Sequence, residues 1–369
     1  MDFWKRIVVA VPKEIRAFTF LEEWQESGGG RLSGVGKQFS HSYQDIISPE
    51  NLLDAWQEFI IGKRRRKDVQ EFEQRLMNNM LALHADLREK TYTHSPYEAF
   101  NISDPKPRSI HKALVRDRLL HHALYRKLYP YFDARFIADS YSCRFGKGTH
   151  KAMDRFRSFA YAASRNHTRT VWVLQCDIRK FFASIDQNIL LDILRRSIVD
   201  QDILWLVERV ISSFSSTRVG VGLPLGNLTS QLLVNIYMNE FDQFMKRQLG
   251  VKYYVRYADD FVVLSRDKAW SENLLLKIQN FLRERLHLDL HPQKVHLRTL
   301  ASGVDFLGWV HFPDHRVLRT ATKRRMLRRI DEVGGKQETV QSYLGLITHG
   351  NSQMLRHHIG CMQETVDLT

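Results

Sequence analysis

The sequence predicts a mixed α/β (α+β) fold, and three features predict it. In Tyr254-Val255-Arg256-Tyr257-Ala258-Asp259-Asp260-Phe261-Val262-Val263-Leu264 two apolar, β-prone runs meet at adjacent carboxylates, the pattern of a strand, a tight turn and a strand. Val171-Trp172-Val173-Leu174-Gln175-Cys176-Asp177 is a second strand candidate that ends on an acid. Between and around these runs, apolar residues recur at helical spacing. Adjacent carboxylates repel one another, so a fold that places them together usually supplies a cation. A surface turn is the plain alternative, because Asp tolerates turn geometry.

Taken in order, residues 1–27 mix helical and strand-like patterns and run into Ser27-Gly28-Gly29-Gly30 and Ser33-Gly34-Val35-Gly36, a linker by composition. A helical period starts at Pro49 with Leu52, Leu53, Ala55, Trp56, Phe59 and Ile60, and resumes at Val69, Phe72, Leu76 and Leu81. The interruption is Lys63-Arg64-Arg65-Arg66-Lys67, a phosphate-contacting run or a solvated face. Residues 97–110 read as extended, and a helix follows through Leu114, Leu119, Leu120, Leu124 and Leu128. Asp186 opens a helix through Ile189, Leu190, Leu191, Ile193 and Leu194, which makes it an N-cap rather than a metal ligand. Gly222-Leu223-Pro224-Leu225-Gly226 is a permissive turn feeding a helix through Leu232, Leu233, Ile236, Tyr237 and Phe241. After the acidic hairpin come a helix near 270–286, the loop Leu288 to Lys294, and a basic C-terminal region. No internal repeat or low-complexity tract is visible.

Composition narrows the function. Lys plus Arg number 55 against 41 Asp plus Glu in 369 residues, a formal charge of +14, which favours a polyanionic partner, nucleic acid above all. No run approaches the ~20 apolar residues of a transmembrane helix. Ile7-Val8-Val9-Ala10-Val11 is too brief for a signal-peptide core, so a cytoplasmic location and no membrane partner are expected. Cys143, Cys176 and Cys361 form no C-x-x-C pair, which argues against a disulfide framework or a zinc site. The 16 histidines lack an H-E-x-x-H arrangement and read as solvated, core or phosphate-facing.

The order of these features resembles the palm of a reverse transcriptase. The Asp177 segment resembles motif A, Gly222 to Gln231 motif B, Tyr257-Ala258-Asp259-Asp260 motif C, the Lys294 loop motif D, and Val304 to Trp309 motif E. Lys106-Pro107-Arg108, Arg116-Asp117-Arg118-Leu119 and Ser142 to His150 resemble the family's fingers motifs, so the likeness runs over roughly residues 45–350. The resemblance implies a right-hand polymerase with fingers, palm and short helical thumb. It divides the chain into an extension with a Gly-rich linker (1–45), fingers with N-terminal helices (46–165), palm (166–312, the motif B region interleaved) and thumb (313–369).

It also implies RNA-directed DNA synthesis with two Mg²⁺ ions, Mn²⁺ being a possible substitute. Two divalent ions can stabilise the entering and leaving oxygens of nucleotidyl transfer, and hard oxygen ligands suit Mg²⁺. By the resemblance, Asp177 and Asp259 hold the ions, Ile178 lends a backbone carbonyl, and Asp260 is the less essential acid. Lys106 and Arg108 meet the incoming triphosphate, Phe182 crowds the sugar 2′ position with Phe181 facing the core, and Lys294 is the general acid for pyrophosphate. Leu225 and Gly226 stand beside the incoming nucleotide, where other polymerases place a glutamine before the glycine.

Leu225-Gly226-Asn227-Leu228-Thr229-Ser230-Gln231 resembles the motif B of diversity-generating retroelement enzymes rather than the Gln-Gly and Ser-Pro of group II intron enzymes. The partners then implied are a template-repeat RNA, a DNA or RNA primer, deoxynucleoside triphosphates and a small basic oligomeric accessory protein. The alternatives are another bacterial reverse transcriptase, defence-associated or intron-derived, and a catalytically dead nucleic-acid-binding scaffold.

Overall fold

The computed structural model describes residues 39–103, 107–355, 357 and 359. The expected extension and glycine-rich linker lie, up to residue 38, outside the described residues. The chain divides into two compact units, one of residues 1–137, 179–243 and 281–289, the other of 138–178, 244–280 and 290–369.

The first unit is mainly helical. Helix α1 (Tyr43–Ile47) leads into α2 (Pro49–Ile60), which starts where the Ser48 hydroxyl accepts from the Asn51 N–H and Pro49 takes the first helical turn. The period read from the sequence buries Leu52, Ala55, Trp56, Phe59 and Ile60 on one face. That face packs against the long helix α5 (Val115–Asp133), which buries Leu119, Leu120, Ala123, Leu124 and Leu128. Helices α3 (Lys67–Glu73) and α4 (Leu76–Arg88) lie between them in sequence, followed by the hairpin β1 (Glu98–Ile102) and β2 (Arg108–Lys112). Of the basic run, Lys63 is turned inward: its ammonium donates to the Phe59 carbonyl at 2.8 Å and lies over the Phe59 ring. Burial pulls its pKa down to about 8. This lysine caps a helix end; Arg64 and Lys67 instead face Glu73 and Glu71.

After strand β3 (Trp172–Asp177) come α7 (Phe181–Ser184), α8 (Gln187–Arg195), α9 (Gln201–Ser212) and α10 (Leu228–Gln243). Asp186 caps α8 as its position suggested, its carboxylate accepting from the Asn188 and Ile189 N–H groups.

The second unit is built on an antiparallel sheet of β3 (Trp172–Asp177), β4 (Tyr254–Tyr257), β5 (Asp260–Ser265) and β6 (His296–Thr299) in the order β4-β5-β3-β6. Helix α6 (Thr149–Ala163) packs on β4 and β5, and α11 (Lys268–Leu286) follows β5. A smaller sheet, β7 (Val304–Phe306), β8 (Trp309–His311) and β9 (Arg316–Leu318), precedes the helices α12 (Thr320–Glu332) and α13 (Gln337–Ile347). The sequence predicts this mixture of helix and antiparallel strand, and the structure has it.

His311 on β8 is buried against the Phe156 ring and bonded to the Phe306 carbonyl at 3.2 Å, and burial lowers its pKa to about 4. A histidine kept neutral in the folded state but protonated in the unfolded chain stabilises the fold above the unfolded value of 6.5, and that stability drains as pH falls toward 4. About 2 kcal/mol should be lost by pH 5 through this one group. Urea midpoints at pH 7 and 5 check it: His311→Gln should lose less stability on acidification than the wild type, and equal losses would exclude His311 as the source.

Candidate active site

The three acids meet because of register. Strand β3 pairs antiparallel with β5 so that Asp177, its last residue, stands opposite Asp260, the first residue of β5. Tyr257 pairs with Asp260 across the β4–β5 hairpin, which leaves Ala258 and Asp259 as the two turn residues. The Ile178 N–H donates to the Asp259 carbonyl at 3.3 Å, tying the end of β3 to that turn.

The loop before β6 closes on the same point. His291 N–H donates to the Asp177 carbonyl at 2.7 Å, Ile178 bridges Leu290, and the Lys294 ammonium reaches the Asp177 carboxylate at 2.7 Å. Asp177, Ile178, Asp259, Asp260 and Lys294 therefore belong to one place in the second unit. Burial lifts the Asp260 carboxyl well above the usual range, and the charges of Asp259 and Asp177 lift it further against Lys294. This is the electrostatic state of carboxylates in want of a cation. Among the described residues no group of three or more His, Cys, Asp or Glu side chains is arranged as a preformed metal cage. The donors on hand, two or three carboxylates and a peptide carbonyl, are nonetheless the hard oxygens that divalent magnesium prefers.

The remaining sequence candidates among the described residues lie in the first unit. Arg108 opens β2, and Lys106 falls outside the described residues. Phe181 is buried and Phe182 half-buried. Leu225 is half-buried and Gly226 exposed, with φ +115°, a conformation glycine adopts without strain.

The match to known proteins decides the family. Residues 103–311, more than half of the chain, match the family described as reverse transcriptase (RNA-dependent DNA polymerase). The chain belongs to the reverse transcriptase family. It is 25% identical to protein YkfC of Escherichia coli over 67% of this chain and 72% of that one. It is 21% identical to the group II intron-encoded protein LtrA of Lactococcus lactis over 79% of this chain. The chain spans 59% of LtrA's length. Among solved structures, telomerase from Candida albicans in complex with a fragment of telomeric RNA aligns with a TM-score of 0.45 at 11% identity, covering 63% of this chain and 48% of that one. No helix among the described residues of this reverse transcriptase is long and apolar enough to cross a membrane.

One residue of the reverse transcriptase's acidic hairpin escaped the sequence reading. Ala258 holds φ +54°, a conformation an alanine pays to adopt. Arg256, with no exposed surface, donates from Nη1 to the Ala258 carbonyl at 3.0 Å and from Nη2 to the Ser140 hydroxyl at 3.0 Å. Its own backbone is bracketed by Asp139 and Tyr141, whose peptide groups bond to it at 3.0 Å on each side. The signal was present: an arginine inside an apolar strand run is rare unless it has buried partners.

Proposed function

We propose that this reverse transcriptase copies a template-repeat RNA into adenine-mutagenised cDNA for diversification of a target gene, using a primer, deoxynucleoside triphosphates and Mg²⁺. The observation that carries the catalytic part is the pairing of Asp177 with Asp260 across β3 and β5, with Asp259 in the adjoining turn. Bound divalent metal would supply charge to the attacking and leaving oxygens. Asp177 and Asp259 would hold it with the Ile178 carbonyl, and Asp260 would assist. Lys294, which bonds to Asp177, would give a proton to the departing pyrophosphate once that carboxylate has another cation. Arg108 would bind the triphosphate by charge-assisted donation. A small basic accessory protein would complete the assembly.

Motif B supports the retroelement assignment: Leu225 offers no amide to the nucleotide, and Ser230-Gln231 replaces Ser-Pro. The similarity to LtrA over most of this chain favours a second reading, an intron-derived enzyme of ordinary fidelity. Sequencing the cDNA that purified enzyme makes on its neighbouring RNA separates them. Errors concentrated at template adenines support the first, and an even error spectrum supports the second.

Two substitutions refine the reading. Phe182→Ala should admit ribonucleotides, and because its ring is only half-buried the loss of stability should stay below the ~3–5 kcal/mol of a buried Phe. Relaxed sugar selection in Phe181→Ala instead would shift the assignment by one residue. Leu225→Gln should lower misincorporation opposite template adenine by up to about tenfold, the worth of one hydrogen bond. An unchanged spectrum would place the infidelity elsewhere.

A further inference from the structure

We propose that Asn227 is a positioning residue for nucleotide selection, clamping the Gly222–Asn227 turn to the fingers strand β2. This rests on the reading of Arg108, Phe182 and Leu225 as the residues that meet the incoming nucleotide. Those three are far apart in sequence, yet one chain of hydrogen bonds within the first unit joins them. On one side of the turn, Leu223 N–H donates to the Phe182 carbonyl and Gly222 N–H to the Ile185 carbonyl, each at 2.8 Å. On the other side, His111 N–H donates to the Leu225 carbonyl at 3.1 Å, three residues along β2 from Arg108. The turn thus spans from the backbone of Phe182 to the strand that carries Arg108.

The rungs at Leu223, Gly222 and His111 are backbone groups. The rung beside His111 is a side chain: the Asn227 amide, 3% exposed, donates to the His111 carbonyl at 3.1 Å. His111 therefore spends both peptide groups on the turn, which fixes the register of Leu225 against β2 in the manner of a β-bridge. A Cβ on Gly226 would lie 2.9 Å from the Ile110 Cγ2, so strand and turn approach as closely as glycine allows. The far end is anchored separately by Gln187, whose amide Nε2 lies 2.9 Å from the Gly222 carbonyl, 3.1 Å from that of Ile211 and 2.7 Å from that of Phe214. With Asn227 gone, one backbone bond to β2 remains among the described residues, and the turn can pivot about it. Leu225 and Arg108 then lose their fixed spacing, while the acids, carried on other elements, keep their register. The consequence falls on which nucleotide is accepted rather than on the speed of joining.

The test is single-nucleotide primer extension with titrated dNTPs on Asn227→Ala and Asn227→Asp, an isostere that cannot donate, with Asn227→Ser as the variant that keeps a short donor should the others fail to fold. KM for the correct dNTP should rise about two- to tenfold and misincorporation should change by a similar factor, while kcat at saturating dNTP stays within about twofold. Asn235→Ala is the control: it removes a buried amide bond to the Gln231 carbonyl, 3.2 Å, farther along the same helix. If the Asn227 variants leave KM and the error spectrum unchanged, or Asn235→Ala alters them equally, the clamp is overturned. Arg108→Ala and Phe182→Ala, assayed alongside, report on the underlying reading: unchanged dNTP KM and sugar selection in both would overturn that reading, whereas a response there with none at Asn227 would overturn the clamp alone.

Discussion

Asp177→Asn and Asp259→Asn are each expected to lower primer extension by at least about a thousandfold, a loss of some 4 kcal/mol in transition-state stabilisation, with template-primer binding nearly intact. The amide is the same size as the carboxylate, so the sheet and its register should survive, but it offers one neutral oxygen where a divalent cation needs anionic ligands. Asp177 is the more informative of the two because it is paired with Lys294 at 2.7 Å. Its replacement frees that half-exposed lysine at little cost, since water can solvate it. A second readout needs no catalysis. A ligand that binds only the folded state raises its melting temperature, so Mg²⁺ should stabilise the wild type and fail to stabilise Asp177→Asn. Extension above a few per cent of wild type, or an undiminished Mg²⁺ shift, would remove Asp177 from the site.

The second large effect is expected at Arg256. Arg256→Met should destabilise the fold by about 3–5 kcal/mol, because it strands the Ala258 carbonyl and the Ser140 hydroxyl in a region with no access to water. Arg256→Lys keeps the charge but loses the fork that reaches both acceptors at once. It should fold, at a cost of roughly 1–3 kcal/mol, and extend primers at least tenfold more slowly at moderate Mg²⁺, with partial recovery as Mg²⁺ is raised. The reason is local: Ala258 holds φ +54° next to Asp259, and the guanidinium bond to its carbonyl ties that turn residue to the strand. Wild-type kcat and wild-type Mg²⁺ dependence in Arg256→Lys would show that the turn holds its shape without the guanidinium.

Arg256 also marks the limit of what the sequence reveals. Its neighbours along the strand are apolar, so the run reads correctly as buried β-structure, and the two acids read correctly as the turn. Nothing in that run says that Ser140, more than a hundred residues earlier, supplies one acceptor. Lys63 teaches the same lesson with the opposite expectation. Five basic residues in a row look like an exposed face, yet the first folds back on the carbonyl of Phe59 one turn earlier. A charge count registers sign and spacing; it cannot register which cation has a carbonyl within reach. Asn227 reads as one polar residue of a turn, and its partner is the peptide of His111, known only once β2 lies beside that turn.

What the sequence determined by itself is local in origin. Hydrophobic spacing set the faces of Pro49–Ile60 and Val115–Asp133, Asp186 announced its helix start, and two largely apolar, buried runs with a two-residue turn made the acidic hairpin. These follow from interactions within a few residues, whose geometry is fixed by the period of helix or strand. Tertiary structure decided the strand order β4-β5-β3-β6, the register that puts Asp177 opposite Asp260, and the closure of the Lys294 loop on Asp177. A slip of one residue in the β3–β5 pairing would turn Asp177 to the other face without altering a letter of the sequence. That register is set by the pairing of whole strands and by the packing of β4 and β5 on α6, a property of the assembled core and not of any segment within it.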